Sequence, residues 1–206
     1  MTTLFSNSKK CGYCKKTVRV IELSSTNAFG SPDLDFRPPP MKRSAILRAL
    51  QCCEHCGYAA WDLETTVQKS DELSDLLSEK IDFSDRSQVF ERAAKIARLN
   101  SANKERSNYL YLCAAWSADD AADIPRAQAM RKNILAVFPA DLPQRPEQML
   151  QWIDIARRAG EWDTARELLE KFKAYTVDQK LKNIAQFQSK LLDEKDTECH
   201  TIEEAL

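Results

Sequence analysis

The sequence predicts a mainly α protein, with a small cysteine-rich β element and a short helix at the N-terminus and a longer run of antiparallel helices behind it. Three observations predict this. Two C-x-x-C pairs lie within the first 56 residues. Three of the four glycines and five of the seven cysteines fall before residue 63. Beyond that point apolar residues recur at helical spacing with one glycine among them. The 206 residues, 43% hydrophobic and 30% charged, suffice for one large core or two small ones. Thirty Lys and Arg stand against 31 Asp and Glu, which excludes the strongly basic balance of a protein that coats nucleic acid wholesale. Four glycines leave no Gly-rich nucleotide loop, and two histidines, His55 and His200, offer little to a His-centred acid/base mechanism.

Taken in order, residues 1–62 read as the cysteine-rich domain. They carry nine Lys and Arg against five Asp and Glu, a formal +4. Thr17 to Leu23 alternates β-branched residues and reads as a strand leaving the first Cys pair. Asn27 to Asp33 is turn chemistry, and Pro38 to Pro40 stiffens the chain before a short helix from Met41 to Leu50. Residues 63–193 read as helices at about 68–80, 85–99, 104–121, 124–138, 146–159, 161–175 and 177–193. Ser84 is placed to cap the second of these, and Pro125 and Pro146 suit first-turn positions, where an amide would be unpaired anyway. Residues 194–206 read as a polar, flexible tail.

The N-terminus has no apolar signal region and no run approaches a membrane span, so a reducing cytoplasm is the expected setting. There, thiols are more often metal ligands than disulfides. Cys11, Cys14, Cys53 and Cys56 form two knuckles that complete a tetrahedron of soft ligands, which predicts one structural Zn²⁺ with no open position. Gly57 follows the last ligand, where a knuckle favours positive φ. The gap of 38 residues between the pairs makes the strand, proline loop and short helix an insertion within the site. A dithiol redox pair is the competing reading, without the βαβ surroundings it would need. Cys52 is either packed beside the site or a ligand in a slipped register with His55. Cys113, among Leu110, Leu112 and Trp116, reads as core, and Cys199-His200 as a solvated end.

The C-x-x-C pair, then Ser25 to Pro39 and Met41-Lys-Arg43, then Cys53-x-x-Cys-Gly-Tyr-Ala-Ala60, resembles the bacterial zinc-ribbon family called domain of unknown function 2225. The resemblance covers most of residues 11–62 and implies a ribbon that continues into tetratricopeptide-like helices, with no established activity. It departs at Cys11-Gly-Tyr-Cys14-Lys, where the family has Pro after the first Cys and Gly after the second. Met149 to Phe172 resembles the centre of a tetratricopeptide unit: a glycine ends one helix, an aromatic begins the next, and a small Ala permits close approach. Trp162, Ala165, Leu168 and Phe172 align with Ile124, Ala127, Met130 and Ile134, and with Phe90, Ala93, Ile96 and Asn100.

These readings point to a zinc-binding, non-enzymatic adaptor whose helical repeat binds another protein. Asp33, Asp35 and Arg37 lie on one face of the proline loop if it is extended, and read either as a partner-gripping cluster or as the clasp of a Pro-bounded turn. The alternative function is a nucleic-acid-binding ribbon contacting phosphates through Lys9, Lys10, Lys15, Lys16 and Arg19. No membrane partner and no catalytic constellation is expected.

Overall fold

The computed structural model describes residues 3–99, 104–137 and 143–206. Asn100 in the repeat alignment, and Phe138 at the end of the fifth predicted helix, lie outside them. The described chain is mainly α, with a small N-terminal β element around a cysteine cluster. In order it forms β1 (Thr3–Lys10), β2 (Thr17–Ser25), α1 (Pro40–Ala49), β3 (Gln51–Cys52), β4 (Ala59–Ala60), α2 (Asp71–Ser78), α3 (Arg86–Leu99), α4 (Lys104–Asp120), α5 (Ile124–Leu135), α6 (Pro146–Arg158), α7 (Trp162–Phe172) and α8 (Gln179–Asp193). A single 3₁₀ turn, Glu203–Ala205, follows.

Two antiparallel pairs build the β element. β1 pairs with β2 from Thr3 with Ser25 to Lys10 with Thr17, and β3 pairs with β4 through Gln51 with Ala60 and Cys52 with Ala59. β1 has little apolar periodicity of its own, because only its partner strand carries a buried face: Val18 and Val20 point inward with Cys11, Cys53, Tyr58 and Leu63. One anchor of β1 is electrostatic. Lys9 Nζ lies 2.7 Å from Glu22 and 2.9 Å from Asp62, which ties the strand to its neighbour and to the segment after β4.

By its contacts the chain sorts into two compact units, Met1–Asn27 with Met41–Ile124, and Ala28–Pro40 with Pro125–Leu206. This differs from a single boundary at residue 62. In the first unit α2, α3 and α4 join the cysteine-bearing strands: Leu77 and Ile96 pack against the apolar cluster around Cys11 and Cys53. Trp61 meets both Phe90 of α3 and Tyr109 of α4. The cap of α3 is Asp85, whose carboxylate accepts from the amides of Ser87 and Gln88. The expected cap, Ser84, instead donates to Asp82, because α3 begins at Arg86 and places Asp85 at the capping position.

The second unit centres on Met149, Leu150, Ile153, Ala156, Ala165, Leu168 and Phe172 of α6 and α7, with Ile184, Leu191 and Leu192 of α8. Gly160, at φ +75, makes the turn between α6 and α7, and Ala165 is wholly buried beneath it. Leu34 of the proline loop belongs to this core, 1% exposed. The tail from Glu194, expected to be loose, is built against that loop. Thr201 bridges Asp33, the Leu34 amide donates to His200 O, and the Ile202 amide donates to Pro32 O. Ile202 and Ala205 pack on the core, so apolar residues spaced within a polar stretch held the tail down where composition alone read it as solvated.

His200 clasps the tail. Its Nδ1 lies 2.7 Å from Glu204 and its Nε2 3.1 Å from Asp196, with the ring edge on Phe187. Partial burial alone would lower the His200 pKa; the Glu204 and Asp196 carboxylates outweigh it and raise it above 6.5. Hydrogen bonding to His200 lowers Glu204 to about 2. A raised His contributes fully below its unfolded pKa and loses that contribution as pH climbs through its folded pKa; a lowered Glu contributes above its unfolded pKa and loses it as pH falls toward 2. The clasp is therefore strongest between roughly pH 4.5 and 6.5. His200→Ala is expected to cost about 1 kcal/mol in urea melts at pH 6 and much less at pH 9. An equal loss at both pH values contradicts the clasp.

Candidate metal centre

The two knuckles have the same backbone. In the first, the Cys11 amide donates to Lys16 O and the Lys15 amide donates back to Cys11 O; in the second, Cys53 donates to Tyr58 O and Gly57 donates back to Cys53 O. The residue after each second cysteine sits at positive φ, +65 at Lys15 and +72 at Gly57. The glycine expected from the second knuckle is thus in the conformation that requires it. At the first, a lysine takes the same strained turn, and its Nζ donates to Gly12 O at 2.6 Å.

This geometry aims four sulfurs at one point. Cys11 and Cys56 lie 3.7 Å apart and Cys14 and Cys53 3.6 Å, with all four Sγ atoms within 4.8 Å of one another. A tetrahedral ion with metal–sulfur bonds of about 2.3 Å requires sulfurs about 3.8 Å apart, and a disulfide would bring them to about 2.0 Å. The spacing fits four thiolates on one ion. Cys11 and Cys53 are wholly buried, while Cys14 and Cys56 are partly so. Burial pushes the Cys53 and Cys56 thiols up, against backbone amides that favour their charge: His55 and Cys56 donate to Cys53, and Tyr58 donates to Cys56. At Cys14 burial also raises the thiol, but bonds from the Lys16 amide and the other cysteines outweigh it and lower it. A cation at the centre supplies what the burial opposes.

Gly12 is specified by space. Its amide donates to Leu63 O at 2.7 Å, and a Cβ there would lie 2.0 Å from Thr65 O. Gly12→Ala forces the first knuckle away from residues 63–65 and is expected to cost about 2 kcal/mol in guanidinium melts of the metal-loaded protein. A loss below about 0.5 kcal/mol would show that the contact relaxes freely. Leu63 and Thr65 carry no cysteine signal, so their part in the site was not legible from motif spacing.

The remaining cysteines stand apart. Cys52, in β3, is not among the four ligands, and burial pushes its thiol up to about 11. Cys113 is core in α4, and Cys199 donates to the Asp33 carboxylate at 3.0 Å. His55 is half-exposed beside Glu54. Asp33, Asp35 and Arg37 are 1%, 0% and 4% exposed, so they face the interior of the second unit and present no surface for gripping a partner. They form the clasped turn: the Asp33 amide donates to Arg37 O, Phe36 to Asp33 O, and Arg37 to the Asp35 carboxylate. Asp35 then reaches Arg158 at 3.0 Å and Arg131 at 3.6 Å. Of the five basic residues near the first pair, Lys9 is held by Glu22 and Asp62, Lys15 by its own knuckle and Arg19 by Ser6.

The fold and its centre define a mainly helical protein with a cluster of four cysteines placed to hold a metal ion. No family model, curated protein or solved structure matches the chain. Among the described residues no helix is long and apolar enough to cross a membrane.

Proposed function

We propose that this protein is a non-enzymatic, zinc-dependent adaptor of the reducing cytoplasm, in which the metal centre organises the N-terminal strands and the helices supply a protein-binding surface. The observation that carries it is the four-sulfur set itself. Four buried or half-buried thiolates fill the positions of a tetrahedral ion and leave none for water or substrate, the arrangement of a structural zinc and not of a catalytic one. None of the seven cysteines is joined in a disulfide, in keeping with a reducing setting. The α6–α7 pair, turned at Gly160 and closely packed at Ala165, supports the tetratricopeptide-like reading of the helices, and stacked pairs of this kind bind peptides or partner helices. The ribbon family resemblance of residues 11–62 belongs to the same reading. Intramolecular bonds of Lys9, Lys15 and Arg19 weigh against phosphate binding as the primary role.

The test uses the metal-loaded full chain in two arms. Affinity capture from a bacterial lysate is expected to recover a specific protein that also binds after purification. Binding to a DNA or RNA oligonucleotide at low salt is expected to be absent. Steeply salt-dependent nucleic-acid binding with no protein partner would overturn the adaptor reading.

A further inference from the structure

The metal centre has a charged neighbour that its cysteine motif does not announce. α3 carries Arg92 to the second knuckle, where the residue is 2% exposed. Its Nη2 donates to Glu79 O at 2.9 Å, and the Glu79 carboxylate is 3.8 Å away and 59% exposed. Its Nη1 is buried with no hydrogen-bond partner. That nitrogen lies 3.2 Å from where a Cβ on Gly57 would stand, one residue past the ligand Cys56. A buried guanidinium with one unbonded nitrogen, paired at 3.8 Å with a solvent-exposed carboxylate, has its desolvation cost only partly offset.

Four thiolates around a divalent cation carry a net charge of −2, and with Cys11 and Cys53 wholly buried that charge is also withdrawn from water. Each charge is unfavourable alone, and α3 brings them together: Ile96, one turn beyond Arg92, packs on the cluster that contains Cys11 and Cys53.

We propose that Arg92 is the outer countercharge of the metal centre: its guanidinium offsets the net negative tetrathiolate and couples metal retention to α3. Gly57 then serves twice, by its positive φ and by leaving room for the guanidinium. Arg92 is a positioning residue that acts on the centre through its charge and its packing against Gly57. The inference rests on the metal reading above.

The test compares the full chain with Arg92→Met, Arg92→Lys, Glu79→Gln and Ile96→Ala. Zinc affinity is measured by competition with a colorimetric chelator, and the four-thiolate site by the absorption of bound cobalt(II). Arg92→Met, which keeps the bulk and removes the charge, is expected to weaken zinc about tenfold, in the range found for outer-shell partners. Arg92→Lys is expected to stay within about threefold of the parent chain. Ile96→Ala trims the same apolar cluster without changing charge, and Glu79→Gln removes the exposed carboxylate; both are expected within about twofold. Parent-like affinity in Arg92→Met overturns the inference. An equal loss in Ile96→Ala assigns the effect to packing and overturns it too. Should Arg92→Met fail to fold, the other arms decide: a tenfold loss in Arg92→Lys, or a large loss of stability in Glu79→Gln, shows that the centre is not the countercharge. A parent chain that binds no metal instead overturns the metal reading itself.

Discussion

Chelation is expected to strip about one zinc per chain and to unfold the strands around Cys11, Cys14, Cys53 and Cys56. Structural zinc contributes on the order of 10 kcal/mol to domains of this kind, far more than the β element can gain from its own small apolar face. The apolar cluster there consists of Cys11, Val18, Val20, Cys53, Tyr58 and Leu63 with half-buried neighbours, and all four clustered cysteines are among these residues. Ser at Cys53 or Cys56 is expected to abolish zinc retention, and Ser at Cys52, Cys113 or Cys199 to preserve it. Hydrogen exchange on chelation should rise over β1 to β4. It should also rise in α2 and α3, because Leu77 and Ile96 pack on the same cluster. Residues 28–40 should stay protected although they lie between the two knuckles in sequence, since Leu34 is held in the core of the helical unit. α5 to α8 should keep their helicity in far-UV spectra. Metal near zero in the purified chain, with all seven thiols titratable and the fold intact, would refute the site.

Asp35→Ala is expected to destabilise the second unit by about 3–5 kcal/mol. The carboxylate is wholly buried, 3.0 Å from Arg158 and 3.6 Å from Arg131, which are themselves 5% and 1% exposed. Removing it takes one member out of a buried charge cluster, a change that costs more than the ion pair contributes. It also deletes the acceptor that the Arg37 amide uses to close the turn. Asp35→Asn retains that acceptor and removes only the charge, so it should lose less. Urea melts of both variants check the order, and zinc content should remain that of the parent chain, because residues 28–40 belong to the helical unit. A loss under about 1 kcal/mol for Asp35→Ala, or loss of zinc in its place, would contradict this assignment.

The four-cysteine cluster was legible because C-x-x-C spacing is a local requirement: one turn of chain presents two sulfurs, and the paired hydrogen bonds within each knuckle form between residues at most five apart. Helix positions were legible for a similar reason. The apolar core residues of α6 to α8 recur at helical spacing along each segment, and Pro146 and Gly160 stand at helix ends where their backbone preferences place them. β1 escaped because its strand conformation depends on β2, seven residues or more away, and its anchor Lys9 depends on Glu22 and Asp62.

By itself, then, the sequence determined the mainly helical class, the cysteine set and the conformation of Gly57, each a property of neighbouring residues. Only the tertiary structure decided where the proline loop belongs. Asp33, Asp35 and Arg37 look like exposed turn residues in sequence, yet they are buried: Arg131 and Arg158, about a hundred residues away, supply opposite charge to Asp35, and residues 200–202 pair with residues 32–34. The same holds for Arg92 beside Gly57. A buried charge is tolerable only where a distant part of the chain compensates it, and no local pattern of residues records which part that will be.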